Sequence, residues 1–312
     1  MTASERPERP RPKIDLGRVG IWTYHLNYQP MAKVREVVAE LEELGYGALW
    51  IGEAVYREPL TTAALLLEAT KRMVVATGIA NIWVRDAFAM TAAQYTLAEA
   101  HPDRFLLGLG VSHARLVEGT RGHAYQRPLS KMRRYLDAMD QAAETYRAAK
   151  PAVPPPRVLA ALGPKMLALA AERADGAHTY LVTPEHTAKA REQLGPERWL
   201  AVEQAVVLET DPKRARSIGR RHVSRYLDLK NYRDNWRRLG FTDEDLAAQG
   251  SDRLVDALVV AGDLEAVAKR VAEHHQAGAD HVCLQVFGQE PHGLPRRQWH
   301  ELASALGSSV RP

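Results

Sequence analysis

The chain has 312 residues, 46% apolar and 26% charged, with a formal net charge of +4. Its length suits one (β/α)8 barrel of about 250 residues with insertions, and its single cysteine, Cys283, excludes an intrachain disulfide and fits a reducing, cytoplasmic setting. The basic residues are scattered, as at Arg220/Arg221, Arg237/Arg238 and Arg296/Arg297, without the clustered charge and stacking aromatics of a nucleic-acid binder, and no run approaches the ~18 apolar residues of a membrane span.

Residues 1–13, beginning MTASERPERPRP, are Pro- and Arg-rich and read as a disordered tail, with no apolar segment of a signal peptide. The remainder, 14–312, reads as one barrel domain. Val19 to Thr23 is a first strand leading into Tyr24 and His25. Pro30 opens a helix whose Val34, Val37, Val38, Leu41 and Leu44 form one apolar stripe, stopped by Gly45 and Gly47. Ala48 to Gly52 is the second strand and delivers Glu53 just past its end; Pro59 starts the next helix.

The stretch from Met73 to His113 has two apolar runs, MVVATGIA and FLLGLG, flanking a segment of helical periodicity. Runs apolar on both faces are the mark of strands covered on both sides, hence of a parallel sheet. They end in Gly78, Asn81, Gly110, Ser112 and His113, and ligands of parallel α/β proteins sit at C-terminal strand ends. A long polar loop to Arg127 follows, then a helix from Pro128 to about Ala149, a strand from Arg157 to Ala161, and a helix opened by Gly163-Pro164. The sixth strand lies near Ala177 to Leu181, Thr183-Pro184-Glu185 starts a helix, and the seventh strand is Ala201 to Leu208. Asp211 to Asp256 is helical, polar and longer than one crossover needs, so it reads as an insertion capping the barrel between strands seven and eight. Asp263 caps a helix to Gly278, His281 to Val286 is the eighth strand, and a last helix follows Pro295.

Three features carry possible chemistry. The loop Ala161-Leu162-Gly163-Pro164-Lys165-Met166 sets glycine and proline at a helix start, either an anion site on free N–H groups or an ordinary helix start. Gly78 inside a strand marks a bulge, a close backbone approach or a packing requirement. Tyr24, His25, Glu53, Asn81 and His113 follow successive strands and converge on one mouth if the barrel closes; singly, each also reads as an exposed loop residue. A histidine there can exchange protons near neutral pH. No metal site is expected: His274-His275 lacks partners at ligand spacing and reads as solvent-facing, and the first strand has no His-x-His pair. Cys283 reads as a core residue, and LLGLGV lacks the third glycine of a dinucleotide fingerprint.

Together LWIGEAVYREP, TGIANIWVRD, DRFLLGLGVSH, LGPKMLALAAERADGAHTYLVTPEH and AGADHVCLQV resemble the bacterial luciferase-like superfamily. The resemblance is to its branch of oxidoreductases using the deazaflavin coenzyme F-420, of the actinobacterial kind, from about Val19 to Leu306. It implies a barrel of the luciferase-like type, a homodimer, and a small-molecule substrate above a ring lying in the mouth. It maps a non-proline cis peptide backing the ring to Gly78-Ile79 and a ring contact to Asn81. It places Leu162, Gly163 and Met166 at the coenzyme's phosphate and Thr179 along the same channel. His113 falls where sugar-phosphate dehydrogenase relatives carry a glutamate acid, and Glu53-Ala54 replaces their aspartate–histidine pair; both departures point away from sugar-phosphate oxidation. The expected activity is hydride transfer between coenzyme F-420 and a small substrate, with His113 as acid/base and Glu53 and His25 in support. The alternatives are a flavin mononucleotide (FMN) monooxygenase with a reductase partner and a non-catalytic deazaflavin or flavin binder.

Overall fold

The computed structural model describes residues 14–307; the expected N-terminal tail lies outside them. Its centre is a closed parallel sheet. Strands β1 (Val19–Trp22), β2 (Ala48–Ile51), β3 (Val74–Thr77), β4 (Ala80–Asn81), β5 (Phe105–Gly110), β6 (Arg157–Ala160), β7 (Gly176–Thr179), β8 (Trp199–Val207), β9 (Val259–Ala261) and β10 (His281–Val286) follow in chain order. The ladder runs β10-β1-β2-β3-β5-β6-β7-β8, and β8 pairs back onto β10 to close it. β4 resumes β3 after a break at Gly78-Ile79 and pairs on β5, Ala80 opposite Leu109 and Asn81 opposite Gly110. The ten strands therefore make eight staves, as expected, plus β9.

β9 was not expected. It pairs with Ala205–Val207 of β8, while β10 holds the other edge of that strand from Ala201 to Val206. It therefore stands where β7, which ends at Thr179, no longer reaches. The insertion is wedged between the tops of β7 and β8.

The helices are α1 (Met31–Glu43), α2 (Pro59–Glu68), α3 (Ala87–Ala100), α4 (Ala114–Val117), α5 (Pro128–Thr145), α6 (Pro164–Arg173), α7 (Pro184–Leu194), α8 (Pro212–Val223), α9 (Lys230–Arg238), α10 (Asp252–Leu258), α11 (Leu264–Gln276) and α12 (Arg296–Leu306). Local chemistry explains their starts. Glu58, Asp86, Thr183, Asp211, Ser251 and Asp263 each accept a backbone N–H of the first turn, four of the six aspartate or threonine. The stripe Val34, Val37, Val38 and Leu41 is buried as its spacing requires. Two boundaries differ from expectation: the loop after His113 contains the short α4, and α5 stops at Thr145.

Alternation along the strands sorts side chains into a helix-facing core and a smaller plug inside the barrel. Trp22, Ala48, Trp50, Val74, Ala76, Leu106, Val158, Ala201 and Cys283 pack together in that plug. Within it Trp50 stacks on His178 at 4.4 Å and donates its indole N–H to His281 Nε2 at 3.1 Å. The insertion has a third core, around Tyr232, Trp236, Phe241, Leu254 and Leu258, so it is less polar in effect than its sequence reads. One expectation is overturned outright. His274 is fully buried, bonded to Thr187 Oγ1 at 2.9 Å and Gln204 Oε1 at 2.8 Å, because α11 turns that face onto β8 and α7.

Candidate active site

The break in β3 is held by a dense set of bonds at the C-terminal mouth. The Gly78-Ile79 peptide is cis. Gly78 N–H donates to the Ile51 carbonyl at 2.7 Å, Trp22 Nε1 donates to the Gly78 carbonyl at 3.2 Å, and Glu53 N–H donates to the Ile79 carbonyl at 3.2 Å. The Thr77 hydroxyl donates to the Gly108 carbonyl and accepts from the Gly108 N–H, at 2.8 and 2.9 Å. Two glycines of FLLGLG give the break its room. A Cβ on Gly108 would stand 2.0 Å from the Thr77 carbonyl oxygen, and one on Gly110 would stand 2.3 Å from Ile79 Cγ1. On the other side the Trp22 indole lies across Gly52 and Gly78.

Glu53 is the keystone of this arrangement. Its carboxylate takes a two-pronged bond from Arg85, both at 2.9 Å, and accepts the Asn81 N–H at 2.7 Å. Its side chain is 5% exposed, and Arg85 adds a third bond, at 2.6 Å, to Glu58. Burial lowers and the two carboxylates raise the Arg85 pKa, with a net rise. Both oxygens of Glu53 are thus engaged, Oε1 by Arg85 and Oε2 by Arg85 and the Asn81 N–H, so the ion pair holds the oxygen that positions the backbone at Asn81. Asn81 is buried and accepts the Trp83 N–H at 3.0 Å. Glu53, Gly78, Ile79 and Asn81 come together as one clamp.

His113 stands apart from that clamp at the N-terminus of α4, its ring 5.8 Å from Tyr232 of the insertion. Burial, helped by Arg115, pushes its pKa down to about 4, so it is a neutral imidazole at neutral pH. His25 is also neutral, pushed down to about 4 mainly by burial. Its Nε2 meets the Val286 carbonyl at 3.2 Å and its ring stacks on Tyr24 at 4.5 Å. Its bonds run to β10, away from Glu53.

The anion-loop residues fall at the start of α6. Gly163 is the N-cap without a side-chain cap bond, and Pro164 is the first helical residue. The guanidinium of Arg238, at the end of α9, lies 3.4 Å from where a Gly163 Cβ would stand. Leu162 offers its carbonyl to His186 Nε2 at 2.8 Å, and Met166 is half-buried beside it. Thr179 needs correction. The pleat that turns His178 inward onto Trp50 turns Thr179 toward the helices, and Tyr180 takes the interior position expected of it.

α9 lies across these strand ends. Tyr232 meets His113 after β5, Arg238 meets Gly163 after β6, and Trp236 Nε1 donates to the Leu181 carbonyl after β7 at 3.4 Å. Beneath it the β7–β8–β10 side of the mouth is polar. Tyr226 donates to Tyr180 Oη at 3.1 Å, which donates to Gln285 Oε1 at 2.6 Å. Tyr180 also meets Trp22 edge-on at 5.4 Å, linking this side to the bulge. Sequence reasoning missed Trp22, Tyr180, Glu203, Tyr232 and Arg238. Trp22 and Tyr180 sit in strand runs that read as core, Glu203 reads as the polar face of a strand, and the other two lie inside the insertion. A cleft of about 400 Å³ opens beside the mouth between the loops after β8 and β10, lined by Glu209, Arg214, Phe287 and Arg297 among others; it touches no residue of the clamp.

A family model for luciferase-like monooxygenases matches residues 15–281. The chain belongs to that family. It is 27% identical over 333 residues to a Mycobacterium tuberculosis protein named as a coenzyme F-420-dependent oxidoreductase, covering 88% of this chain and 96% of the relative. The barrel is similar to a coenzyme F-420-dependent tetrahydromethanopterin reductase from Methanopyrus kandleri, at TM-score 0.73 and 18% identity over 95% of this chain and 99% of that one. It is similar to an F-420-dependent secondary alcohol dehydrogenase bound to an F-420-acetone adduct, at TM-score 0.72 and 14% identity over 95% and 99%. An FMN-bound 3,6-diketocamphane monooxygenase component from Pseudomonas putida follows at TM-score 0.67 and 15% identity, over 95% and 98%. These structural likenesses establish the shared barrel.

Proposed function

We propose that the protein is an oxidoreductase that moves a hydride between coenzyme F-420 and a small organic substrate. The carrying observation is the clamped bulge: the break between β3 and β4 at Gly78-Ile79, backed by Trp22 and fixed by Glu53 and Arg85, in a chain of this family. The named M. tuberculosis relative supports F-420 as the coenzyme. The fit is chemical as well as positional. The bulge and Trp22 make a rigid floor for a flat ring, with Asn81 at its edge, while the uncapped start of α6 with Arg238 suits a phosphate.

When bound, the coenzyme supplies the hydride donor or acceptor at its ring. The protein's own share is to hold that ring, seat the substrate and handle the proton. Leu162, Gly163 and Met166 hold the phosphate end. Neutral His113 accepts the proton of a substrate hydroxyl as the hydride leaves, or returns it in the reverse direction. Glu53 acts by fixing Asn81 and the bulge, and His25 shapes the rim without reaching the clamp. A homodimer and a cytoplasmic setting belong to the same reading.

FMN is the second reading, since the same floor and helix start suit its ring and phosphate and an FMN-bound protein shares the barrel. Fluorescence titration of the pure protein with coenzyme F-420 and with FMN separates the two. Tighter binding of F-420 is expected; FMN binding without F-420 binding reverses the order and favours the monooxygenase.

A further inference from the structure

Glu203 is the one carboxyl group of β8, and it lies fully buried inside the barrel. Its neighbours by alternation, Ala201 and Ala205, fix its direction: Ala201 belongs to the barrel plug and Ala205 to the core beneath the insertion. Glu203 therefore sits between the two, at the level where the mouth begins. Its Oε2 accepts the Leu181 N–H at 2.8 Å. Leu181 is held in the left-handed region at φ 53° at the end of β7. Oε1 is buried with no partner among the described residues.

If capping Leu181 were the whole task, a glutamine oxygen would do it. The groups that face Glu203 are Tyr180 just after β7, Tyr226 and Tyr232 from the insertion, and Cys283 from β10. Burial holds each of the four in its protonated form. A carboxylate among them, with one backbone N–H and no cation, is disfavoured. Burial accordingly pushes the Glu203 pKa up to about 8. With Oε2 occupied as an acceptor, the proton belongs on Oε1. That leaves a buried O–H donor without an acceptor, an arrangement native structures keep only for a reason such as a ligand.

We propose that Glu203 is a ligand-binding residue whose uncharged Oε1–H donates a hydrogen bond to a carbonyl oxygen on the ring of the bound coenzyme. The contact chain points there. Tyr180, which borders Glu203, touches Trp22, and Trp22 donates to the carbonyl of the cis peptide that floors the mouth. A flat ring seated against Trp22 would be bordered by Tyr180 on the β7–β8 side, and the pyrimidinedione carbonyls common to deazaflavin and flavin rings are acceptors without a proton of their own. The inference rests on the ring-binding reading above.

The test is binding, read with and without the titratable group. Coenzyme F-420 is titrated into wild type, Glu203→Gln and Glu203→Ala from about pH 6 to about pH 9.5, with thermal melts confirming that the variants fold. Wild-type affinity should fall above the ionisation of Glu203, by up to about tenfold per pH unit. Glu203→Gln keeps a donor and should lose that component of the profile; comparison with wild type cancels the ligand's own titration. Glu203→Ala should bind about tenfold or more weakly across the range. Infrared spectra should show a protonated carboxyl band at neutral pH that Glu203→Gln lacks and that shifts when coenzyme binds. Identical profiles for wild type and Glu203→Gln, or a carboxyl band blind to coenzyme, overturn the proposal. If wild type binds FMN and not F-420, the coenzyme reading falls and the same profiles with FMN decide Glu203. If it binds neither, both fall.

Discussion

Replacing Gly110 by alanine tests whether the β5 glycines exist to accommodate the bulge. The added Cβ would stand 2.3 Å from Ile79 Cγ1, 2.4 Å from Cδ1 and 3.3 Å from Cβ, against about 3.5–4.0 Å for carbon atoms in contact. Gly110 is paired in the ladder with Asn81 and cannot retreat without disturbing β4, so the Ile79 side chain or the bulge must move. Overpacking of this kind costs about 1–3 kcal/mol. Urea denaturation of Gly110→Ala should show that loss, and coenzyme affinity should fall with it because the displaced element is the floor of the site. Ile79→Ala removes both offending carbons, so the double variant should be less destabilised than the sum of the two singles, with a coupling of about 0.5–3 kcal/mol. Gly288→Ala, with nothing within 4 Å of its added Cβ, should stay within about 0.5 kcal/mol of wild type. Additivity of Gly110→Ala and Ile79→Ala to within about 0.5 kcal/mol would falsify the reasoning.

Three further outcomes are expected. His113→Ala should lower turnover by about a hundredfold or more and leave coenzyme affinity nearly intact; unchanged steady-state rates remove His113 from the chemistry. Glu53→Gln keeps an acceptor for Asn81 but leaves the Arg85 guanidinium with half-exposed Glu58 as its remaining carboxylate within 4.0 Å, so denaturation should reveal a loss near or below the low end of the about 3–5 kcal/mol for breaking a buried pair. Stability should fall on acidification, because His25 and His113 are held near pKa 4 and His178, His222 and His274 near 3, all by burial. The unfolded chain binds those protons near pH 6.5 and the folded one does not, so each group removes up to about 1.4 kcal/mol per pH unit below that point until its folded pKa is reached. Denaturation midpoints that stay level from neutral pH to about pH 5 would contradict this burial of neutral imidazoles.

The barrel was legible because its signals are local. Alternating short apolar runs and capped helices such as Thr183-Pro184 read directly, and the ladder closes in the order those runs imply. The bulge was visible as Gly78 inside a strand, and the edge that carries the candidate site followed from parallel topology. What stayed hidden depends on partners distant in sequence. Glu53 reads as a free acid at a strand end until Arg85, 32 residues on, is folded against it. His274 reads as exposed because nothing nearby in sequence announces Thr187 or Gln204. Glu203 in WLAVEQAVV reads as the polar face of a strand, whereas closure of the barrel puts that face inside. The insertion's short helices carry their apolar residues too sparsely to show that Tyr232 and Trp236 cover strand ends.

The insertion's core takes in Leu181, Ala205, Val207 and Phe287 of the barrel, and it shares few side chains with the other two cores. Leu162 is the half-buried residue it shares with the helix-facing core, and Tyr24 and Tyr180 are those it shares with the barrel plug. Contiguous units with a core of their own open cooperatively, at lower free energy than the global unfolding of the body they cover. Amides of α9 and α10 should therefore exchange with solvent as a group while the β-ladders remain protected. Because α9 lies across the strand ends, on the proposed reading that opening would also govern how a bound ring leaves. Ligand residence time would then be a property of a segment of some fifty residues, from Asp211 to Leu258, and repacking Trp236 and Phe241 should lengthen or shorten it without touching a group proposed to hold the ring.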